Sequence, residues 1–190
     1  MPLKVVFMGS PDFSIPSLKM LIDKNHKPIC VYTQSPQKKM RGQKVLKTPV
    51  HIYSEKMDIE VRTRKLDFEN EYVNFKNLKP DLVVVVAYGQ IIPESYLKIP
   101  NLLFLNVHAS LLPKWRGAAP IERAILNGDK ETGVSIMKIE KKLDSGPYIM
   151  QSRIKIDSET NSGELKEKLS SLGAKSLIQS IDLILSKEGS

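Results

Sequence analysis

A chain of 190 residues is long enough for one domain with a substantial core, and 41% hydrophobic against 26% charged residues is the balance of an ordinary globular protein. No apolar run approaches the roughly 20 residues that span a bilayer, and the N-terminus has neither signal- nor transit-peptide character, so the expectation is a cytoplasmic protein with no membrane partner. The single cysteine, Cys30, excludes an internal disulfide framework, while the net charge of +8 favours an anionic partner.

Taken in order, Lys4 to Met8 is an apolar run ended by Gly9-Ser-Pro-Asp12, which predicts a strand and a tight turn. Phe13 to Ile22 carries apolar residues at 13, 15, 18, 21 and 22, close to a helical stripe. Strand, glycine turn and helix is how doubly wound α/β domains begin. Gly9 stands alone, however. Nothing matches G-x-G-x-x-G or a Walker loop, which disfavours a nicotinamide or flavin cofactor.

Pro28 to Thr33 predicts a second strand around Cys30, whose apolar neighbours make it a buried structural thiol. The segment from Gln34 to Lys47 holds Lys38, Lys39, Arg41, Lys44 and Lys47 with no acidic residue among them. Gly42 and the flanking Pro36 and Pro49 predict irregular, mobile backbone there. A solvated loop and a nucleic-acid contact both fit that composition. Ile59 to Thr63 predicts a third strand, and Phe68 to Leu78 a helix that ends before Pro80.

Asp81 to Ala87 is unbroken in its apolar character, as expected of a central parallel strand covered on both faces. Tyr88-Gly-Gln-Ile-Ile-Pro93 follows at its carboxyl end, where ligands of open α/β sheets bind. Leu102 to His108 is the next strand, and Ala118 to Asn127 a helix stopped by Gly128. Thr132 to Glu140 predicts a strand, residues 141–147 a loop, and Tyr148 to Ile156 an antiparallel or edge strand. Thr160 to Glu164 is a helix entry, with a long helix over Leu165 to Leu185 in which Gly173 marks a break or a close contact.

Asn106 and His108 lie two residues apart on a predicted strand and therefore share a face. The three histidines, at 26, 51 and 108, are scattered and lack zinc-ligand spacing, so no metal is expected. A serine hydrolase using Ser110, His108 and Asp144 is disfavoured by the absence of a G-x-S-x-G elbow. Acyl transfer by direct amine attack fits better. It needs donors aimed at a tetrahedral oxyanion and a group that takes the amine's proton. Asn106 offers an amide donor, His108 a donor or acid, and Asp144 on its loop is the leading carboxylate. The spacing is equally compatible with a structural histidine.

Asn106-x-His108-x-Ser110-Leu-Leu-Pro113 followed by Trp115-Arg-Gly-Ala-Ala-Pro120 resembles the formyltransferases that use 10-formyltetrahydrofolate, most closely the methionyl-tRNA formyltransferase family. Gly9-Ser-Pro-Asp-Phe13, Val84-Val-Val-Ala-Tyr-Gly89, Glu131-Thr-Gly-Val134 and Leu143-Asp-Ser-Gly146 carry the resemblance almost end to end. It implies a Rossmann-like formyltransferase fold, α/β, with a mostly parallel central sheet and helices on both faces. It implies that Asn106 and His108 stabilise the oxyanion and that Asp144 orients His108 and assists proton removal.

The resemblance further implies that Ser110, Leu111, Leu112 and Pro113 border the folate, with Tyr88, Gly89, Gln90, Ile91 and Ile92 near its pterin. Lys38, Lys39, Arg41 and Lys44 would approach the acceptor end of initiator methionyl-tRNA. Residues 1–190 would correspond to the catalytic domain of a monomeric bacterial enzyme, without the family's C-terminal barrel-like tRNA-binding domain. Glycinamide ribonucleotide formyltransferase has the same expected fold and chemistry and is the nearest alternative. Sugar-nucleotide formyltransferases and formyltetrahydrofolate hydrolase are further relatives. A non-catalytic tRNA- or folate-binding module is the alternative from another class.

Overall fold

The computed structural model describes residues 2–39 and 44–188, and Arg41 of the basic segment lies outside them. The chain divides into two compact units, Met1–Phe104 and Leu105–Ser190. Each has its own hydrophobic interior.

The first unit is built on parallel strands. β1 (Val5–Gly9) pairs with β2 (Cys30–Tyr32) on one side and with a central strand, Leu82–Val86, on the other, both in parallel register. All five residues of β1 and all five of the central strand are buried, which accounts for their unbroken apolar sequence. A 3-10 turn, Asp12–Ser14, leads from β1 into α1 (Ile15–Asp23), with Pro16 in its first turn. Burial pushes the Cys30 thiol up to about 12. It is an inert interior group, as its neighbours predict.

The basic segment differs from the expected irregular loop. β3 (Gln37–Lys39) and β4 (Lys44–Leu46) form an antiparallel hairpin that pairs Lys38 with Val45 and Lys39 with Lys44. The helix that follows, α2 (Pro49–Lys56), is also absent from the sequence expectation. Pro49, expected to interrupt regular structure, sits in its first turn, where a missing N–H costs no helical bond. The Thr48 hydroxyl accepts the His51 N–H at 3.1 Å and caps it.

β5 (Val61–Arg62) pairs in parallel with β2. α3 (Glu71–Asn77) starts later than expected because Asn70 is left-handed, with φ of 67°. It buries Phe75, which packs on Tyr32, Tyr96 and Phe104 with ring centroids 4.9–6.3 Å apart. The buried Tyr32 hydroxyl donates to Glu71 Oε1 at 2.7 Å and accepts from Arg62 at 3.1 Å, so this interior polar cluster is mutually satisfied. The central strand, Leu82–Val86, is β6, and α4 (Glu94–Leu97) is a single turn beyond it.

β7 (Leu103–His108) carries the chain into the second unit, which is antiparallel. After α5 (Pro120–Leu126) come β8 (Glu131–Lys138) and β9 (Tyr148–Lys155), with β7 on β8 and β8 on β9. α6 (Ser162–Glu188) is continuous through Gly173. A Cβ at that position would stand 2.8 Å from Val107 and 3.8 Å from Val134, so the glycine marks close approach of the helix to β7 and β8 rather than a break. The Asn161 side chain accepts the Glu164 N–H at 2.9 Å and caps the helix where the sequence predicts its entry.

Candidate functional site

The second unit brings together the three residues that the sequence singles out for chemistry. Asn106 and His108 occupy alternate positions of β7, opposite Met137 and Ser135 of β8. They therefore project to one face, with His108 only 7% exposed and Asn106 more open. Asp144 arrives from the loop between β8 and β9, in a left-handed conformation with φ of 47°. Its Oδ2 lies 3.8 Å from His108 Nδ1, and both side chains are more than nine-tenths buried. At that distance the contact is too long for a direct hydrogen bond.

The other imidazole nitrogen is held more closely. His108 Nε2 stands 3.0 Å from the Trp115 carbonyl oxygen. A carbonyl only accepts, so Nε2 carries the hydrogen and the neutral ring has its lone pair on Nδ1. The nitrogen facing Asp144 is thus the one free to take up a proton.

The loop after β7 is anchored from below. Ser135 Oγ donates to the Ser110 carbonyl at 2.7 Å, and accepts the Leu112 N–H at 3.1 Å and Gln151 Nε2 at 2.9 Å. Gln151 also donates to the Leu112 carbonyl at 2.8 Å. Ser135 and Gln151 are cross-strand partners on β8 and β9. The sequence does not single out either, because one polar residue among Val134, Ile136 and Met137 looks like ordinary strand alternation. A Cβ on Gly133 would collide with the Ser152 carbonyl and approach Leu111 to 2.7 Å, so Leu111 is seated against bare backbone.

Of the residues expected to border a folate, Ser110 and Leu112 are buried, Leu111 is half-buried and Pro113 is exposed. The Leu112–Pro113 peptide bond is cis. The remaining five lie in the first unit. Tyr88 is 2% exposed and its carbonyl accepts from Ser10 Oγ at 3.0 Å. Gly89, with φ of 78°, accepts from Gln34 at 3.2 Å, and Tyr88 donates to Gln90 at 3.3 Å. Ile91 is 91% exposed and Ile92 half-buried. On the hairpin, the Lys38 and Lys44 side chains are exposed, whereas Lys47 is paired with Glu55 at 2.7 Å.

In three dimensions the chain is similar to phosphoribosylglycinamide formyltransferase from Anaplasma phagocytophilum, with a TM-score of 0.81 and 20% identity over 98% of this chain and 88% of that one. A formyltetrahydrofolate deformylase from Pseudomonas syringae is also similar, with a TM-score of 0.75 and 21% identity over 95% of this chain and 60% of that one. These likenesses define the fold as the α/β, Rossmann-like fold of formyltransferases.

Sequence goes further. Residues 3–181 match the Formyl transferase family, and the chain belongs to it. It is 50% identical over 186 residues to the methionyl-tRNA formyltransferase of Pelagibacter ubique and 46% identical over 183 residues to that of a Wolbachia from Drosophila simulans. Those alignments take in 97% and 96% of this chain but 60% and 61% of the relatives. The chain thus spans about three fifths of their length.

Proposed function

We propose that this chain is the catalytic part of an enzyme that moves a formyl group from 10-formyltetrahydrofolate to the amino group of initiator methionyl-tRNA. The observation that carries the acceptor is the 50% identity over nearly the whole chain to a methionyl-tRNA formyltransferase. The chemistry is supported by the grouping of His108 and Asp144 beside Asn106.

The amine nitrogen attacks the formyl carbon, and the carbonyl electrons move onto oxygen. The Asn106 amide donates to that oxyanion and His108 stabilises it alongside, the type of contribution for which preorganised donors are most effective. Asp144 draws off the amine's proton, through water. Because Nε2 is already committed to the Trp115 carbonyl, Nδ1 is the imidazole nitrogen that exchanges protons with the reacting groups. Collapse of the intermediate re-forms the carbonyl and breaks the bond from the formyl carbon to N10, which leaves with the proton that Asp144 drew from the amine. The products are the formylated amine and tetrahydrofolate.

In this reading Ser110 to Pro113 and Tyr88 to Ile92 border the folate. The enclosed side chains of Ser110, Leu112 and Tyr88 contribute through backbone and shape, leaving Leu111, Pro113, Gln90, Ile91 and Ile92 to offer side-chain surface. Lys38, Lys39, Arg41 and Lys44 meet phosphates at the acceptor end. The protein works as a monomer in the cytoplasm of a bacterium. Supplying labelled formyl donor together with methionyl-tRNA and with glycinamide ribonucleotide, in separate and mixed reactions, tests the acceptor.

A further inference from the structure

Four consecutive residues, 114–117, are each pinned by a side chain. Ser110 Oγ donates to the Lys114 carbonyl, Arg123 donates to the Arg116 carbonyl at 3.0 Å, and the Gly117 N–H donates to Asp144 at 2.8 Å. Between them stands Trp115, left-handed with φ of 55°. A non-glycine residue is strained there, so something else must hold it.

Asp129 does so. Its Oδ2 accepts the Trp115 indole N–H at 2.7 Å, and its Oδ1 accepts Lys114 Nζ at 2.8 Å and Asn127 Nδ2 at 2.7 Å. The Asp129 side chain is 5% exposed, at the turn between α5 and β8, where its own N–H donates to the Ala124 carbonyl at 3.0 Å. Arg123 lies 4.9 Å from the Trp115 ring centroid and Lys114 5.5 Å, so two cations flank the indole. The hydrogen bond and both cation contacts of the Trp115 side chain thus come from α5, from its exit turn and from the adjoining lysine.

The opposite end of the same residue is the carbonyl that engages His108 Nε2 at 3.0 Å. We propose that Asp129 is a positioning residue for His108: by clamping the Trp115 indole it presents the Trp115 carbonyl to Nε2, and so fixes which imidazole nitrogen is left for chemistry. The proposal rests on the catalytic reading of His108 for its effect on rate, but not for its effect on the ring. Without the clamp, Trp115 relaxes from its left-handed conformation, its carbonyl swings away, and the imidazole is free to flip or to change tautomer.

Nitrogen-15 NMR of labelled histidine tests this directly, since the chain has only three histidines. In the parent protein the His108 resonances should be those of a ring protonated at Nε2. Asp129→Ala and Trp115→Phe should each convert them to an averaged mixture. Asp129→Asn, which keeps an acceptor for the indole N–H, should restore the parent pattern.

In formyl transfer, Asp129→Ala should lower kcat by about 10- to 100-fold, the scale of a misplaced catalytic group. The folate KM should stay near the parent value. Trp115→Phe removes a single donor, so it serves if Asp129→Ala does not fold. An unchanged Nε2–H pattern in either folded variant overturns the clamp. An altered pattern with unaltered kcat would uphold the clamp and count instead against His108 as a catalytic group.

Discussion

His108 and Trp115 meet through the imidazole Nε2 and a main-chain carbonyl, 3.0 Å apart, so one side of the ring's hydrogen bonding is fixed by backbone rather than by a titrating side chain. Asp144 stands across the other nitrogen at 3.8 Å. In the proposed mechanism the two contacts have different duties: the carbonyl orients, and the carboxylate handles charge. Substitutions can separate the two.

Replacing His108 by Ala should remove an oxyanion donor and lower kcat by about 100-fold or more. Steady-state kinetics at saturating folate measure the loss, and turnover equal to the parent would refute the role.

Asp144→Asn isolates charge from architecture. The amide oxygen can still accept the Gly117 N–H, so the loop should keep its shape and the melting temperature should hardly move. Loss of the proton acceptor should nevertheless cut kcat by about 100-fold, at the low end of general-base contributions. A large fall in melting temperature with modest kinetic loss would assign Asp144 to the fold instead.

Ser135→Ala empties the hub beneath residues 110–112. It leaves the Leu112 N–H and one Gln151 hydrogen bond without their partner, which should destabilise the fold by about 1–3 kcal/mol. Urea denaturation measures this. An unchanged midpoint would mean that the loop's own contacts suffice.

Acid should act through Asp129. Burial opposes its ionisation, but hydrogen bonds from Lys114, Asn127 and Trp115 outweigh that and hold its carboxyl below the usual range. A depressed folded pKa means that the native state binds fewer protons than the unfolded chain. The stabilisation is therefore complete above about pH 4, the unfolded carboxyl value, and fades as pH falls through the lower folded value. Asp129→Asn should flatten that part of the stability curve, as read by melting temperature between neutral pH and the acid limb. A parallel, merely displaced curve would show that other carboxylates govern it.

The strands were largely legible because a buried parallel strand announces itself as an uninterrupted apolar run, as Asp81 to Ala87 does. The pairing of Gln37–Lys39 with Lys44–Leu46 was not, since the exposed residues of β4 have no core face to impose a period. α2 was hidden by an ambiguity: Thr48-Pro49 reads as a cap followed by a first-turn proline as readily as it reads as a break. At the site, Asn106, His108 and Asp144 were visible as chemistry-bearing types in a recognised pattern. Ser135, Gln151 and Asp129 were not, because their importance lies in which backbone groups the fold carries to them. The left-handed Trp115 and Ala119 had no sequence signal at all, since neither residue favours that conformation.

The salt dependence of acceptor binding checks the basic hairpin. Substituting Lys38 and Lys44 by Ala should weaken tRNA binding and reduce the log–log salt slope by roughly 0.7–0.9 for each phosphate no longer neutralised. Folate binding should be untouched. An unaltered slope would remove the hairpin from the interface.

The most direct test of the central claim is a competition at low salt: radiolabelled 10-formyltetrahydrofolate, the protein, methionyl-tRNA and glycinamide ribonucleotide in one reaction, with both acceptors recovered and counted. Label should appear on the methionyl amine and vanish with His108→Ala. Label found only in the ribonucleotide would contradict the account.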